Sequence, residues 1–183
     1  MRRDATQNRQ LLIDTASDLF HVCGPDVALD TVAERAGVGI GTLYRHFPNR
    51  AALLRAVFEA HLDHYASFAE GHRGGPDLIP DFLRLIAKGA STYALAAGHL
   101  HAHGPEAEAS RLVLRRFDAI AETVIGRARA DGQVADWVTS DTLRLCGRML
   151  LGLLADARAT GEAPDTDGAL RIMLSGIGSR ASS

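Results

Sequence analysis

The sequence predicts an all-α protein. Alanine, leucine and arginine are abundant and runs of β-branched residues are absent, a composition that favours helices over strands. Apolar residues also recur at helical spacing over long stretches of the chain. With 183 residues, of which 46% are hydrophobic, the chain can bury a core large enough for one small and one larger domain.

The first predicted helix runs from about Asp4 or Thr6 to Cys23. Gly24 and Pro25 stop it, since neither residue readily continues a helix. Its buried face is predicted from one apolar stripe at positions i, i+4, i+7 and i+8: Leu12, Ala16, Leu19 and Phe20.

Residues 31–50 read TVAERAGVGIGTLYRHFPNR and predict two short helices joined by a tight turn. Gly37 ends the first of them, because glycine readily adopts the left-handed conformation that a helix C-terminus favours, and Val38 plugs the turn. In the second helix, Leu43 and Phe47 lie at i and i+4 and therefore both face the core. The opposite face is polar and suits the base edges and phosphates of a DNA major groove; it carries Thr42, Arg45 and His46, with Tyr44 to one side.

This helix-turn-helix segment resembles the DNA-binding domain of the TetR (tetracycline-repressor) family. The resemblance is strong over residues 8–62 and is weaker, mostly in helix lengths, over the rest of the chain. The motifs that carry it are Ala36-Gly37-Val38, Gly41-Thr42-Leu43-Tyr44, His46-Phe47 and Asn49-Arg50. It implies a helix-turn-helix DNA-binding domain over residues 1–48 and an effector-binding and dimerisation domain over residues 49–183.

The resemblance also implies which residues contact double-stranded DNA. Those implied to face base edges are Ile40, Gly41, Thr42 and Arg45. Those implied to contact backbone phosphates are Tyr44, His46 and Arg50. Gly39 belongs to the same set, because small residues at the start of the helix let its N-terminus come close to DNA.

Three positions depart from the family's pattern. Ala28 and Gly39 stand where a Ser or Thr commonly caps the two helices of the motif, and alanine and glycine are weaker caps. Arg50 replaces a frequent lysine and keeps its charge. We therefore expect these departures to affect the helix ends rather than the function.

Charge distinguishes specific from non-specific DNA binding. The chain has a net charge of −2, and its first 50 residues hold as many acidic residues as arginines. This balance counts against a non-specific nucleic-acid binder, which needs a basic patch. A specific dimer needs only local positive charges, for which the candidates are Arg2, Arg3, Arg9, Arg45 and Arg50.

A long helix over about residues 50–70 is predicted to join the DNA-binding segment to the body. Pro48 ends the preceding helix, and Asn49 is a suitable N-cap. The apolar stripe of the long helix consists of Leu53, Leu54, Val57, Phe58, His61, Leu62 and Tyr65. Glycines in residues 71–76 then break it. Further helices are predicted over about residues 77–97, 105–130, 139–160 and 165–178, with an irregular segment at 98–104.

The helix over residues 139–160 is apolar around nearly its whole circumference, so it must be buried on more than one side. Gly147 and Gly152 would let a neighbouring helix approach closely. The central helix of a monomeric bundle would show the same pattern. We favour a homodimer, because a helix-turn-helix protein reads two half-sites about one turn of DNA apart. The resemblance agrees, since the last two helices of the family form a four-helix dimer interface.

The resemblance further implies a pocket for an unknown small-molecule effector between helices of the body. The candidate residues are His61, Tyr65, Tyr93, Phe117 and Met149. Ordinary core packing is the competing interpretation for each of them. His61 is the strongest candidate, because an imidazole on an apolar face needs a partner. The implied function is a repressor that a small molecule releases from a palindromic operator, although activation is compatible with the same features.

The sequence predicts neither a metal site nor another cofactor. His99, His101 and His103 invite a metal interpretation, but no Cys, Asp or Glu flanks them closely, and neighbouring glycines favour a surface turn. No nucleophile elbow, phosphate-binding glycine loop or zinc-protease motif is present, so we expect no enzyme.

The cellular compartment is predicted from the cysteines and from the lack of long apolar runs. Cys23 and Cys146 have no metal-type spacing and are expected to be buried, reduced thiols. The N-terminus is polar, and the longest apolar run, residues 149–155, is too short to span a bilayer. We therefore expect a cytoplasmic protein without a membrane partner.

Overall fold

The computed structural model describes the backbone of residues 2–24, 26–98 and 105–178, and the side chains of residues 5–24, 26–90, 108 and 111–178. These residues form eight α-helices and no β-strand, which confirms the predicted all-α fold. The helices are α1 (Arg2–Cys23), α2 (Leu29–Arg35), α3 (Ile40–His46), α4 (Arg50–Gly71), α5 (Leu78–Gly98), α6 (Pro105–Ala130), α7 (Ser140–Thr160) and α8 (Thr166–Ile177). One isolated antiparallel bridge joins Val134 to Gly178.

The helices enclose two hydrophobic cores. The first lies among α1, α2, α3 and the first half of α4, and we call this part the head. It contains the predicted stripe of α1, and its buried residues include Leu12, Phe20, Val32, Leu43, Phe47, Leu53 and Val57. The second core lies among the rest of α4 and α5 to α8, which we call the body; it includes Phe58, Leu62, Phe82, Phe117, Ile125, Leu143 and Leu150. The two cores therefore meet inside α4, between Val57 and Phe58.

Several helix ends lie where the sequence predicts them, for local reasons. The Asn49 side chain accepts a hydrogen bond from the Ala52 backbone N–H at 2.8 Å and caps α4. The Asp165 side chain accepts one from the Gly168 N–H at 2.8 Å and caps α8. At the start of α2, Ala28 has the extended conformation of an N-cap but makes no side-chain cap hydrogen bond. The expected weak cap is therefore present in the structure.

Arginines connect the body's helices to one another and to the head. Arg127 on α6 donates to the Ala69 and His72 carbonyls at 2.9 and 2.6 Å and so satisfies the C-terminal end of α4. Arg158 on α7 donates to the His21 carbonyl of α1 at 3.3 Å. This last contact fixes the C-terminal end of α1 against the body.

The two cysteines differ in their environment. Cys146 is buried on α7, as expected, and burial raises the pKa of its thiol. Cys23 is exposed, and this part of the prediction is wrong. The apolar stripe of α1 turns Leu19 and Phe20 inward, and the last residue of the helix lies outside that stripe.

None of the described helices is long and apolar enough to cross a membrane.

Candidate nucleic-acid interface

The turn between α2 and α3 sets the position of α3. Gly37 has φ = +66°, the left-handed conformation that the sequence predicts for it. The Gly37 and Val38 N–H groups donate to the Glu34 and Ala33 carbonyls at 3.0 and 2.9 Å, which closes the end of α2. Val38 is half-buried against the core of the head. The turn therefore holds α3 firmly against α1 and α2.

One face of α3 is buried and the opposite face lies open. Leu43 and Phe47 are fully buried, as their spacing predicts. Tyr44 is 49% exposed, and Arg45 is exposed beside it. Ile40 and Gly41 are exposed at the start of the helix, whereas Thr42 and His46 are half-buried at the edge of the face; we call the set Gly39, Ile40, Gly41, Thr42, Tyr44, Arg45 and His46 the α3 face. A large aromatic and an aliphatic side chain remain exposed on it, which is the composition of a contact surface rather than of a solvated one.

Two glycines leave the start of the α3 face without side chains. Gly39 is the N-cap of α3, with φ = −62° and ψ = 140°, and offers no side-chain acceptor. A Cβ added at Gly39 or Gly41 would meet no other atom within 4 Å. Neither glycine is therefore required by contacts inside the chain. Their effect is to leave the backbone at this end of α3 accessible to a partner.

Arg50 has a contact within the chain that the sequence did not reveal. Its Nη2 donates to the Val27 carbonyl at 2.7 Å, and the side chain is half-buried. The guanidinium thereby ties the start of α4 to the segment between α1 and α2. A phosphate contact from Arg50 would come from a side chain that is already positioned by the protein.

Arg9 on α1 lies close to the C-terminal end of α3. Its guanidinium carbon is 5.3 Å from the centroid of the Phe47 ring, a cation–π distance. The side chain is exposed at this position. Arg9 thus adds a positive charge close to the C-terminal end of α3.

The predicted effector residues do not surround one cavity. Tyr65 and Phe117 are fully buried and line an interior gap of only about 10 Å³, too small for an organic ligand. Met149, a candidate pocket residue, is instead 50% exposed on the outer side of α7. The reason is that Cys146 and Leu150 occupy the inner side of that helix. The side chain of Tyr93 lies outside the described residues, as do His99, His101 and His103.

A charged pair lies beside this interior gap. Arg144 on α7 donates to both carboxylate oxygens of Asp118 on α6 at 2.6 Å, and it also pairs with Asp141. Burial raises the pKa of Asp118, although the guanidinium acts in the opposite direction. The pair joins α6 to α7.

In the described part of the chain, no group of three or more His, Cys, Asp or Glu is placed to hold a metal.

An open groove of about 440 Å³ lies between α1, α4 and α5, where the sequence pattern did not predict one. Its residues are Ser17, Asp18, His21, His61, His64, Tyr65, Leu85 and Lys88. His61, the strongest sequence candidate, lies in this groove, and its Nε2 is 3.3 Å from the Ser17 hydroxyl. Burial, and then the nearby His64 and His21, lower the pKa of His61 from 6.5 to about 4. The sequence signal for this site was the imidazole of His61 on an otherwise apolar stripe of α4. The other groove residues, from α1 and α5, are distant from His61 in the sequence.

Apolar side chains and glycines are exposed on both α7 and α8. Met149 follows Leu145 by one turn, and both are about half exposed. Ile172 on α8 is 72% exposed. A Cβ added at Gly152 or Gly176 would meet no atom within 4 Å, so both glycines open towards solvent. We call the set Leu145, Met149, Gly152, Ile172 and Gly176 the α7–α8 face.

Comparison with known proteins agrees with these features. The family profile described as "Bacterial regulatory proteins, tetR family" matches residues 12–57, which span α1 to the middle of α4. An HTH-type transcriptional regulator of Staphylococcus aureus (strain USA300) is 39% identical over 64 residues, 34% of this chain. The match spans 35% of that protein's length, so the chain matches only about a third of the length of its curated relatives.

Solved structures extend the similarity over the whole chain. The TetR transcription regulatory protein of Mycobacterium vanbaalenii is 27% identical with a TM-score of 0.60, covering 97% of this chain and 98% of that one. The structure of a SmeT–triclosan complex has the same fold, with 20% identity and a TM-score of 0.53, covering 96% of this chain and 93% of that one.

An all-α chain with an N-terminal helix-turn-helix and a separate helical body is the architecture of a bacterial transcriptional regulator. The profile match identifies the head more narrowly as a TetR-family domain, and the full-length structural similarity shows that the whole chain shares the fold of TetR-family regulators.

Proposed function

We propose that the protein is a sequence-specific DNA-binding transcriptional regulator that reads a palindromic operator as a homodimer. The observation that carries this proposal is the α3 face, which is exposed, bears Tyr44 and Arg45, and stands on the fully buried pair Leu43 and Phe47. A rigidly seated helix with an open polar and aromatic side is the geometry that reads a major groove.

The residues of the interface have different proposed roles. Arg45 reads a base edge, because a guanidinium forms two parallel hydrogen bonds with guanine, and Thr42 and Ile40 contact neighbouring bases. Tyr44 and His46 bind phosphates and orient the helix, and Gly39 and Gly41 permit close approach of the backbone. Arg50 binds a phosphate while its contact to the Val27 carbonyl keeps it in place.

Dimerisation is proposed to occur through the α7–α8 face. It is the exposed apolar surface of the last two helices, and its two glycines would allow helices of a second copy to pack closely. Met149→Arg should give a monomer in size-exclusion chromatography with light scattering, because it places a charge in the buried centre of the interface. Leu112→Arg, which changes another exposed apolar residue on α6, is the matched control and should remain dimeric. A monomeric native chain, or a dimeric Met149→Arg variant, would refute this interface.

We also propose that a small molecule releases the protein from its operator, so that the protein acts as a ligand-responsive repressor. Support comes from the shared fold, since SmeT was solved as a complex with triclosan. The effector would favour a spacing of the two α3 helices that no longer matches successive major grooves. Moving such an equilibrium from 99:1 to 1:99 requires a difference in affinity of roughly 5.5 kcal/mol.

Selection from a randomised duplex library, followed by sequencing, tests the DNA-binding proposal. The native chain should enrich a palindrome, and a Tyr44→Ala/Arg45→Ala variant should lose the enrichment. Arg84→Ala is the control, since Arg84 is an exposed arginine on α5 that pairs with Asp81 at 2.7 Å, far along the chain from α3. Failure of the dimeric native protein to enrich any sequence would refute the proposal, as would equal enrichment by the double variant.

A further inference from the structure

The groove between α1, α4 and α5 combines three properties that the interior gap lacks. Its volume of about 440 Å³ lies in the range of small-molecule sites, roughly 300–1,000 Å³. It is open to solvent and has both polar and apolar walls. It is also formed by the head and the body together, since α1 belongs to the head, α5 to the body, and α4 to both.

The charged and titratable groups of the groove favour an anion. From α1 the groove receives Asp18 and His21, from α4 it receives His61 and His64, and from α5 it receives Lys88. Lys88 is the single lysine of the chain. A cation bound here would be repelled by this ammonium, and the groove offers it one carboxylate, that of Asp18, as a negative partner. An anion instead meets one ammonium and three groups that donate N–H bonds and can accept a proton.

The apolar part of the groove suits a flat ring. The rings of His61 and Tyr65 are stacked with centroids 6.3 Å apart, and Leu85 is half-buried next to them. The Tyr65 hydroxyl donates to the Leu85 carbonyl at 3.1 Å, so the buried tyrosine is fixed where it borders the groove. Planar ligands gain by contact with such rings.

We propose that this groove is a binding site for a small aromatic anion, whose oxyanion contacts Lys88 and the imidazoles and whose ring lies against Leu85 and the His61–Tyr65 pair. The proposal rests on the proposed function only for its regulatory consequence, which is that a ligand bound here regulates DNA binding. Such a ligand contacts α1 and α5 together, so any change that it makes in their separation moves the head relative to the body.

Proton uptake should accompany binding of the anion. Burial, and then His64 and His21, disfavour the charged form of His61, and the negative charge of an anion in the groove opposes the effect of the two imidazoles. Asp18 from α1 and Lys88 from α5 also face the groove. Because an anion favours the charged form of His61, affinity for the anion should rise as the pH falls from about 7 to about 5.

The first test uses two probes that differ mainly in charge, 2-naphthoate and its neutral amide 2-naphthamide, and measures binding to the free dimer by calorimetry. We expect 2-naphthoate to bind at least about tenfold more tightly than 2-naphthamide, the ratio that one charge-assisted hydrogen bond provides. Lys88→Gln should remove this preference. Arg84→Gln, one turn earlier on the same helix and outside the groove, should retain it.

Three outcomes would overturn the proposal. The first is equal binding of the two probes, which would indicate a site for neutral ligands. The second is a preference for 2-naphthoate that Lys88→Gln leaves intact, and the third is no detectable binding of either probe. Since these measurements contain no DNA, they are independent of the operator selection described above. A chain that binds 2-naphthoate but enriches no DNA sequence would retain the site and lose the proposed function.

The second test measures proton uptake on binding and the thermodynamic linkage between 2-naphthoate binding and DNA binding. Titrations in buffers of different ionisation enthalpy should show proton uptake with 2-naphthoate at about pH 6, and His61→Gln should reduce it. With a selected operator, DNA binding and 2-naphthoate binding should change each other's affinity by the same factor. Equal proton uptake in the native and His61→Gln proteins would contradict the assigned position of the anion.

Discussion

Gly89 provides the sharpest test of how α4 and α5 pack at the floor of the groove. A Cβ built at this buried position would overlap the Tyr65 hydroxyl, and it would lie 3.4 Å from the Tyr65 Cζ and from the His61 Cγ. The hydroxyl cannot simply turn away, since it is buried and donates to the Leu85 carbonyl. Gly89→Ala therefore creates an overpacked contact at a single oxygen atom.

The expected cost follows from two opposing effects. Overpacking of a core costs about 1–3 kcal/mol, whereas alanine gains up to about 1 kcal/mol over glycine inside a helix. We expect Gly89→Ala to destabilise the protein by about 1–2 kcal/mol. At roughly 2–4 °C for each kcal/mol in a chain of this size, the melting temperature should fall by about 2–8 °C.

A double-mutant cycle separates this contact from any other effect of the alanine. Tyr65→Phe should cost about 1 kcal/mol on its own, because the hydrogen bond from its hydroxyl to the Leu85 carbonyl is lost. In the Tyr65→Phe background the overlapping oxygen is absent, so Gly89→Ala should be neutral or stabilising. Denaturant unfolding of the four proteins gives the coupling free energy, which we expect to favour the double mutant by about 1–3 kcal/mol. Additive effects of the two substitutions would refute this account of the packing between α4 and α5.

Three further predictions concern the head. Arg45→Ala should relax sequence preference at one operator position and cost about 1–3 kcal/mol of binding free energy; unchanged preference in a panel of operator variants would remove Arg45 from base reading. Arg50→Ala should weaken all sites alike and lower the slope of log K against log salt by about one, and its melting temperature should fall because the Val27 carbonyl loses a donor; an unaltered salt slope would exclude the phosphate contact. Ala28→Ser should raise the melting temperature more than Gly39→Ser does, since an alanine N-cap is about 1 kcal/mol poorer than serine and a glycine N-cap only a few tenths; equal shifts in a thermal melt would contradict this ranking.

Much of the head was predictable from sequence, because its structure depends on local signals. Gly37, Asn49 and the stripe of α1 each act through a few neighbouring residues, and each is found in the expected conformation or environment. The orientation of α3 followed from the i, i+4 spacing of Leu43 and Phe47, since burial of that pair determines which residues face outward.

The body was predictable in its helices but not in its cavities. The pattern of α7 is apolar on almost every side, so periodicity could not decide whether Met149 faced inward or outward. The polar groove was missed because it depends on tertiary contacts, such as that of Ser17 with His61. Arg50 illustrates the same limit, since its Val27 partner lies 23 residues earlier in the chain.

The position of α1 links the groove to the proposed dimer interface. His21 contributes its side chain to the groove, while its carbonyl accepts a hydrogen bond from Arg158 near the end of α7. Gly24, one turn after His21, has φ = +86°, and a Cβ there would come within 3.4 Å of the Arg158 Nε. Since α7 also carries the outer residue Met149, a displacement of α1 by a ligand must either break the Arg158 contact or move α7. A movement of α7 would alter the pairing of the two subunits and hence the distance between their α3 helices.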